Sequence, residues 1–270
     1  MRLIVKHRIE HRYSKPLAYA IQTLRLTPRT YDGLAVIGWQ VRGERMRELP
    51  YYIDGLGNYV HSNAINRPHD RASILVEGMV ETRGNGEVVR DARESLPPLY
   101  YLRKTPLTQP DEAIQTLAAQ CAKDAAGMDR LVLLMNTVAG KVAFVPGASE
   151  VRTTAKDALA KGSGVPQDHA HLFIACCRAL GVPARYVGGY LWTGREGQEQ
   201  ASHAWAEAFV EDLGWIGFDP ARNALPGETY VRIAIGLDYW QAAPMRGIRR
   251  GEVDATLDVA VQITAADSVQ

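Results

Sequence analysis

At 270 residues the chain exceeds the ~100 to 200 residues that one hydrophobic core usually serves, so two packed units are expected. Its 46% hydrophobic and 23% charged residues exclude a disordered, collagen-like or disulfide-dense scaffold. With 31 Lys+Arg against 30 Asp+Glu the formal net charge is +1, which supplies no field for gathering nucleic acid or an anionic membrane, and neither is expected as a partner.

The opening MRLIVKHRIEHRYSKP interleaves charged and apolar residues and lacks the unbroken apolar run of a secretory signal. Nowhere does the chain approach the ~20 apolar residues that span a bilayer. Leu3, Val5, His7, Ile9, His11 and Tyr13 share one face of a period-two pattern, which predicts a half-buried strand. Further short strands are expected at Thr23 to Thr27, Ala35 to Val41, Tyr51 to Ile53, Asn58 to His61 and Ser73 to Thr82, separated by turn signals such as Asp54-Gly55 and Gly84-Asn85-Gly86. Together they predict an antiparallel β-sandwich or barrel.

After Ser95 the Pro-rich LPPLYYLRKTPLTQP breaks this rhythm, so the boundary is drawn there: residues 1–105 as the β domain and 106–270 as an α+β second domain. Pro110 suits the first position of a helix running to about Lys123. Helices are also expected at Asp129 to Gly140 and Thr154 to Lys161, and a helix buried on all sides at Gln167 to Leu180, ended by Gly181 and Pro183. Strands resume at Tyr186 to Trp192, His203 to Val210, Trp215 to Asp219 and Thr256 to Thr264. Arg246, Arg249 and Arg250 read as a solvated turn between them. Three cysteines without an even framework argue against structural disulfides and point to a reducing, cytoplasmic setting.

The segment GVPQDHAHLFIACCRALGVPARYVGGYL, followed by ASHAW and GWIGFDPARN, resembles the bacterial transglutaminase-like family of the papain-like superfamily. In that family a cysteine opens the buried helix ahead of a Gln-Asp or Arg-Asp pair, a histidine follows in a Ser-His-Ala-Trp strand, and an aspartate in a Gly-Trp-x-x-Phe-Asp-Pro strand. The resemblance implies a catalytic triad position at Pro166, His203 and Asp219, with proline standing where the family carries its nucleophile. It also implies the bacterial N-terminal β domain, and partnership with an active paralogue or with ATP-grasp, alpha-E-domain or proteasome-like proteins encoded nearby.

The chemistry of these positions follows from the residues. Glu211-Asp212-Leu213-Gly214 is a turn signal, and a hairpin centred near Glu211 to Asp212 makes His203 and Asp219 near cross-strand partners about 5 Å apart. The aspartate then orients the imidazole and stabilises its cation. A cysteine at the positive end of a helix is activated by the macrodipole and a neighbouring imidazolium. Proline at Pro166 preserves the helix start but supplies neither a thiol nor a backbone N–H for an oxyanion.

No other residue replaces it in this reading. Cys176 and Cys177 lie ten and eleven residues further along the helix, about 15 Å away at 1.5 Å per residue, and are read with Cys121 as core residues. Ser163 is read as a loop residue. His169 and His171 are about 200° apart on a helix and do not converge with Asp168 on one ion, so no metal or cofactor is expected. Downstream, Asp238-Tyr239-Trp240-Gln241 departs from the family's Asp-Tyr-x-Asp by one lost carboxylate. The expectation is a pseudoenzyme whose cleft binds a peptide or a partner protein. The alternative is a peptidase, amide hydrolase or acyl transferase that works through His203 and Asp219 with a non-cysteine nucleophile or an activated water.

Overall fold

A computed structural model describes residues 1–84, 88–89, 94, 96–195, 202–250 and 253–266. Asn85 and Gly86 of the expected turn, and Ser95, lie outside the described residues.

Two four-stranded antiparallel sheets form the β unit. In one, β1 (Arg2–Leu17) lies between β15 (Ala255–Ala265) and β6 (His69–Thr82), with β3 (Leu34–Arg42) outside β6. In the other the order is β14 (Met245–Arg250), β2 (Tyr19–Leu24), β5 (Tyr59–Ile65) and β4 (Tyr51–Ile53). Ile9, Leu24, Val41, Ile74 and Val76 from the two sheets meet in a shared core, the packing of a sandwich.

The second unit has a sheet in the order β13 (Tyr230–Gly236), β10 (Ala184–Leu191), β11 (Ser202–Val210), β12 (Gly214–Phe218) and β7 (Val88–Val89). Against it lie α1 (Glu112–Asp124), α2 (Gly127–Lys141), α3 (Ala155–Lys161), α4 (Pro166–Ala179) and the short α5 (Tyr239–Ala242), with a two-stranded parallel pair β8 (Ala143–Phe144) and β9 (Ser163–Gly164). The chain is therefore mixed α+β, with two antiparallel sheets in one unit and helices packed on a third sheet in the other. None of the described helices is long and apolar enough to cross a membrane.

Three readings of the sequence are corrected. A cut at 105 gives residues 106–270 to the second unit, yet β14 pairs with β2 and β15 with β1, while β7 joins the core sheet. Both ends of the chain thus build the sandwich. The segment with Arg246, Arg249 and Arg250 is strand β14, not a turn: an exposed edge strand shows weak alternation and looks like a loop. At α1, Pro110 stands before the cap; Asp111 is the N-cap and accepts from the Ile114 amide at 3.0 Å.

α4 is apolar all round because it is surrounded, by β10 and β11 on one side and α1, α2 and α3 on the other. Near its far end the guanidinium of Arg178 donates to the carbonyls of Tyr101, Ala184 and Leu237 and to the Thr108 hydroxyl, tying the linker and β10 to the helix. Strand β1 serves two cores with one face. Leu3 and Val5 pack with the helical unit, Ile9 packs inside the sandwich, and His7 falls between them.

Candidate functional site

At this seam a cavity of about 710 Å³ opens, walled by β10, β11, the start of α4 and the β8 loop on one side and by β1, the segment just after β2 and Pro244 on the other. Pro166, Gln167, Gly188, Tyr190, His203, His7 and Arg25 all line it.

His203 sits on β11 opposite Gly189 of β10. A Cβ at Gly189 would stand 2.2 Å from the Val231 carbonyl and 2.7 Å from the Trp205 ring, so glycine is required for the strands to close. Trp205, two residues on, stacks with the His203 ring at a centroid distance of 6.3 Å. The hairpin to β12 turns within a residue of the sequence reading. Ala206 pairs with Phe218 and Val210 with Gly214, so the turn centres on Asp212, which takes the left-handed φ of 68°, and His203 is diagonal to Asp219 rather than across from it. Asp219 reaches it because the chain leaves β12 there and closes a short loop, the Asp219 amide donating to the Ala224 carbonyl at 2.9 Å.

The resulting geometry is tight. His203 Nε2 lies 2.6 Å from Asp219 Oδ2, and the carboxylate is fully buried. Tyr230 donates its hydroxyl to the same oxygen at 2.8 Å, and the amides of Ala221 and Arg222 donate to Oδ1 at 3.1 and 3.3 Å. Burial, and then the Asp219 charge, push the Tyr230 phenol well above its usual pKa, which keeps it a donor. With Nε2–H committed to the carboxylate, Nδ1 is the free acceptor of His203 and has no partner among the described residues.

On the helix side Pro166 is the first residue of α4, after Val165 in extended conformation. Asp168 turns back to accept from the Val165 amide at 2.8 Å and from the Ser149 hydroxyl. Gly164 leaves room for this carboxylate, since a Cβ there would approach it to 2.8 Å. His169 has Nδ1 at 2.9 Å from the Val165 carbonyl and Nε2 at 2.7 Å from the Val142 carbonyl. His171 instead accepts from the Tyr239 amide at 3.1 Å, and burial pushes its pKa down to about 3. The two rings diverge, and the described residues hold no group of three or more metal-ligating side chains.

Cys121, Cys176 and Cys177 are buried free thiols; burial pushes Cys176 and Cys177 well above the usual thiol range. Ser163 lies in β9, a strand where the sequence reading had a loop, and does not line the cavity. Gln241, at the position of the lost carboxylate, accepts from the Leu237 amide at 2.8 Å and so has a backbone partner of its own.

The sequence reading assigned nothing to the β unit's wall, yet His7, Arg25, Leu26 and Pro244 line the cavity. The available signal was a histidine on the buried face of β1. Tyr190 and Tyr230 were missed as well; the Gly188-Gly189 pair inside a strand pattern was the clue to close approach at this point.

Residues 115–220 match the model of the transglutaminase-like superfamily, and residues 3–81 match that of the bacterial transglutaminase-like N-terminal region. An uncharacterized protein of Mycobacterium leprae is 30% identical over 276 residues, covering 97% of this chain and 98% of that protein. An uncharacterized protein of Mycobacterium tuberculosis is 26% identical, covering 96% and 91%. The crystal structure of a protein from Cytophaga hutchinsonii, described as a presumed cysteine protease, superposes with a TM-score of 0.79 at 21% identity, covering 99% of this chain and 91% of that one. At that identity the likeness is one of fold.

Proposed function

Because the chain belongs to the transglutaminase-like superfamily, with the bacterial transglutaminase-like N-terminal region ahead of the core, we propose that it is a non-catalytic member whose cleft binds a peptide or a segment of a partner protein. The observation that carries this reading is one cavity holding a hydrogen-bonded His203–Asp219 pair and, at the helix start, a proline in the position that the family's motif gives to cysteine. Proline offers no nucleophile and no amide proton. The remaining thiols are buried elsewhere in the core, where burial pushes Cys176 and Cys177 well above the usual thiol range, so none substitutes for it. Three free cysteines fit a cytoplasmic setting for this role.

A second reading has one observation in its favour: Nδ1 of His203, on a ring anchored by Asp219, has no partner among the described residues, which suits a base for an activated water. It makes the protein a peptidase or amide hydrolase without a covalent intermediate.

One experiment separates the two. A pool of random octapeptides is passed over the immobilised protein, and the retained and released fractions are weighed by mass spectrometry. Retention of intact peptides, abolished by Gly188→Leu, supports the binding reading, since a Cβ at Gly188 meets nothing closer than 3.7 Å and a larger side chain fills the cavity. Shortened or deamidated peptides that disappear with His203→Ala support the hydrolase.

A further inference from the structure

The β unit's wall of the cleft carries a second set of polar groups that neither reading uses. His7, on β1, is 2% exposed and lines the cavity. Its Nδ1 is 2.8 Å from the hydroxyl of Tyr190, which also lines the cavity, while its Nε2 is buried with no hydrogen-bond partner among the described residues. Buried polar atoms are rarely left so, because an unmade bond costs about 1 to 3 kcal/mol. Burial pushes the His7 pKa down to about 4 and the Tyr190 phenol upward, so a neutral ring faces a protonated hydroxyl. With that hydroxyl donating to Nδ1, the ring proton sits on Nε2 and has no acceptor among the described residues.

Arg25 completes the wall. The turn at Asp54 is rigid, its Oδ1 accepting from the amides of Leu56 and Asn58, and its Oδ2 accepts from Arg25 Nε at 3.2 Å. The guanidinium is thereby oriented, with a side chain 13% exposed, while Nη1 and Nη2 have no partner among the described residues. A tethered fork of this kind matches the two oxygens of a carboxylate. No Asp or Glu among the described residues lines the cavity to fill that place.

We propose that Arg25 and His7, the latter set by Tyr190, form a carboxylate-recognition subsite, so that the ligand of this cleft carries a carboxylate at its β-unit end. The inference rests on the cleft being a binding site and adds the chemical class of what it binds. The carboxylate comes either from a peptide C-terminus or from an Asp or Glu side chain, and both offer the same two acceptor oxygens.

The test uses the octapeptide pool in two forms, one with free C-terminal acids and one amidated. Retention of the acid form over the amidated form assigns a C-terminal carboxylate, and enrichment of Asp and Glu in both forms assigns a side chain. Either bias should fall about tenfold or more in Arg25→Met and should weaken in Tyr190→Phe, which keeps the ring in place and removes only the hydroxyl that sets His7. Thermal melting of each variant confirms that it is folded. Peptides retained without any preference for carboxylates, or with a preference unchanged in folded Arg25→Met, overturn the subsite and leave the binding cleft standing. If no peptide of either form is retained, the binding reading falls and the subsite with it.

Discussion

On the core side of the cleft His203 donates from Nε2 to a buried carboxylate that four donors satisfy, whereas on the β-unit side His7 rests on a phenol and its Nε2 has no partner among the described residues. The first arrangement is complete in itself. Asp219 is held by Tyr230 and two backbone amides, none of which depends on Pro166. The second arrangement leaves a buried ring nitrogen without a partner among the described residues.

The largest way to sharpen this contrast is pH. Folded His7 titrates at about 4 against 6.5 for the free side chain, so between those values the unfolded chain binds the extra proton and stability falls as the solution is acidified. From pH 7 to pH 4 the loss from His7 is on the order of 3 kcal/mol, and His171, at about 3, adds a loss of similar size. Urea titrations across this range should show the slope reduced by the His7 share in His7→Phe. An unchanged slope means that the β-unit histidine is not the neutral, dry group described above.

Removing the core side's anchor comes next. Asp219→Ala strips four donors of their acceptor and should cost about 3 kcal/mol in the same titrations, a loss that marks the pair as part of the scaffold. A cost below 1 kcal/mol, within the range of an exposed ion pair, breaks the contrast.

The helix side is tested by Pro166→Cys. A thiol at this helix start beside His203 should be alkylated about a hundredfold faster than Cys121, Cys176 and Cys177, and the advantage should shrink in Pro166→Cys with His203→Ala. Labelling no faster than that of the native thiols would mean that His203 does not serve position 166. The smallest effect is expected for Pro166→Ala. It removes only the stiffening of the unfolded chain and should lower stability by about 0.5 kcal/mol in the urea titration.

Much of this was legible in the sequence for reasons that can be named. The α4 helix announced itself by an apolar run closed by Gly181 and Pro183, and β1 by strict alternation, because burial on one or all sides writes a period into the residues. His203 and Asp219 were visible through their flanking motifs. Their register was not, since it depends on Asp212 taking a left-handed conformation and on a loop that turns Asp219 out of β12, neither of which has a periodic signature. The β-unit wall was hidden for a different reason. His7 meets Tyr190 across 183 positions of chain, and Arg25 lines the same cavity, a proximity that only the closed sandwich creates. The edge strand β14 escaped notice because five of its six residues are exposed and carry no alternation.

The closure of the sandwich by β14 and β15 bears on how the molecule is made. Arg8 on β1 is bonded to Asp258 on β15, 250 residues later in the chain. During synthesis the first sheet therefore waits, with the β15-side edge of β1 unpaired, until the whole helical unit has emerged from the ribosome. Until then the strand that carries His7 lacks one of its two neighbours, and a chain stopped before residue 255 has a core sheet but an unfinished sandwich.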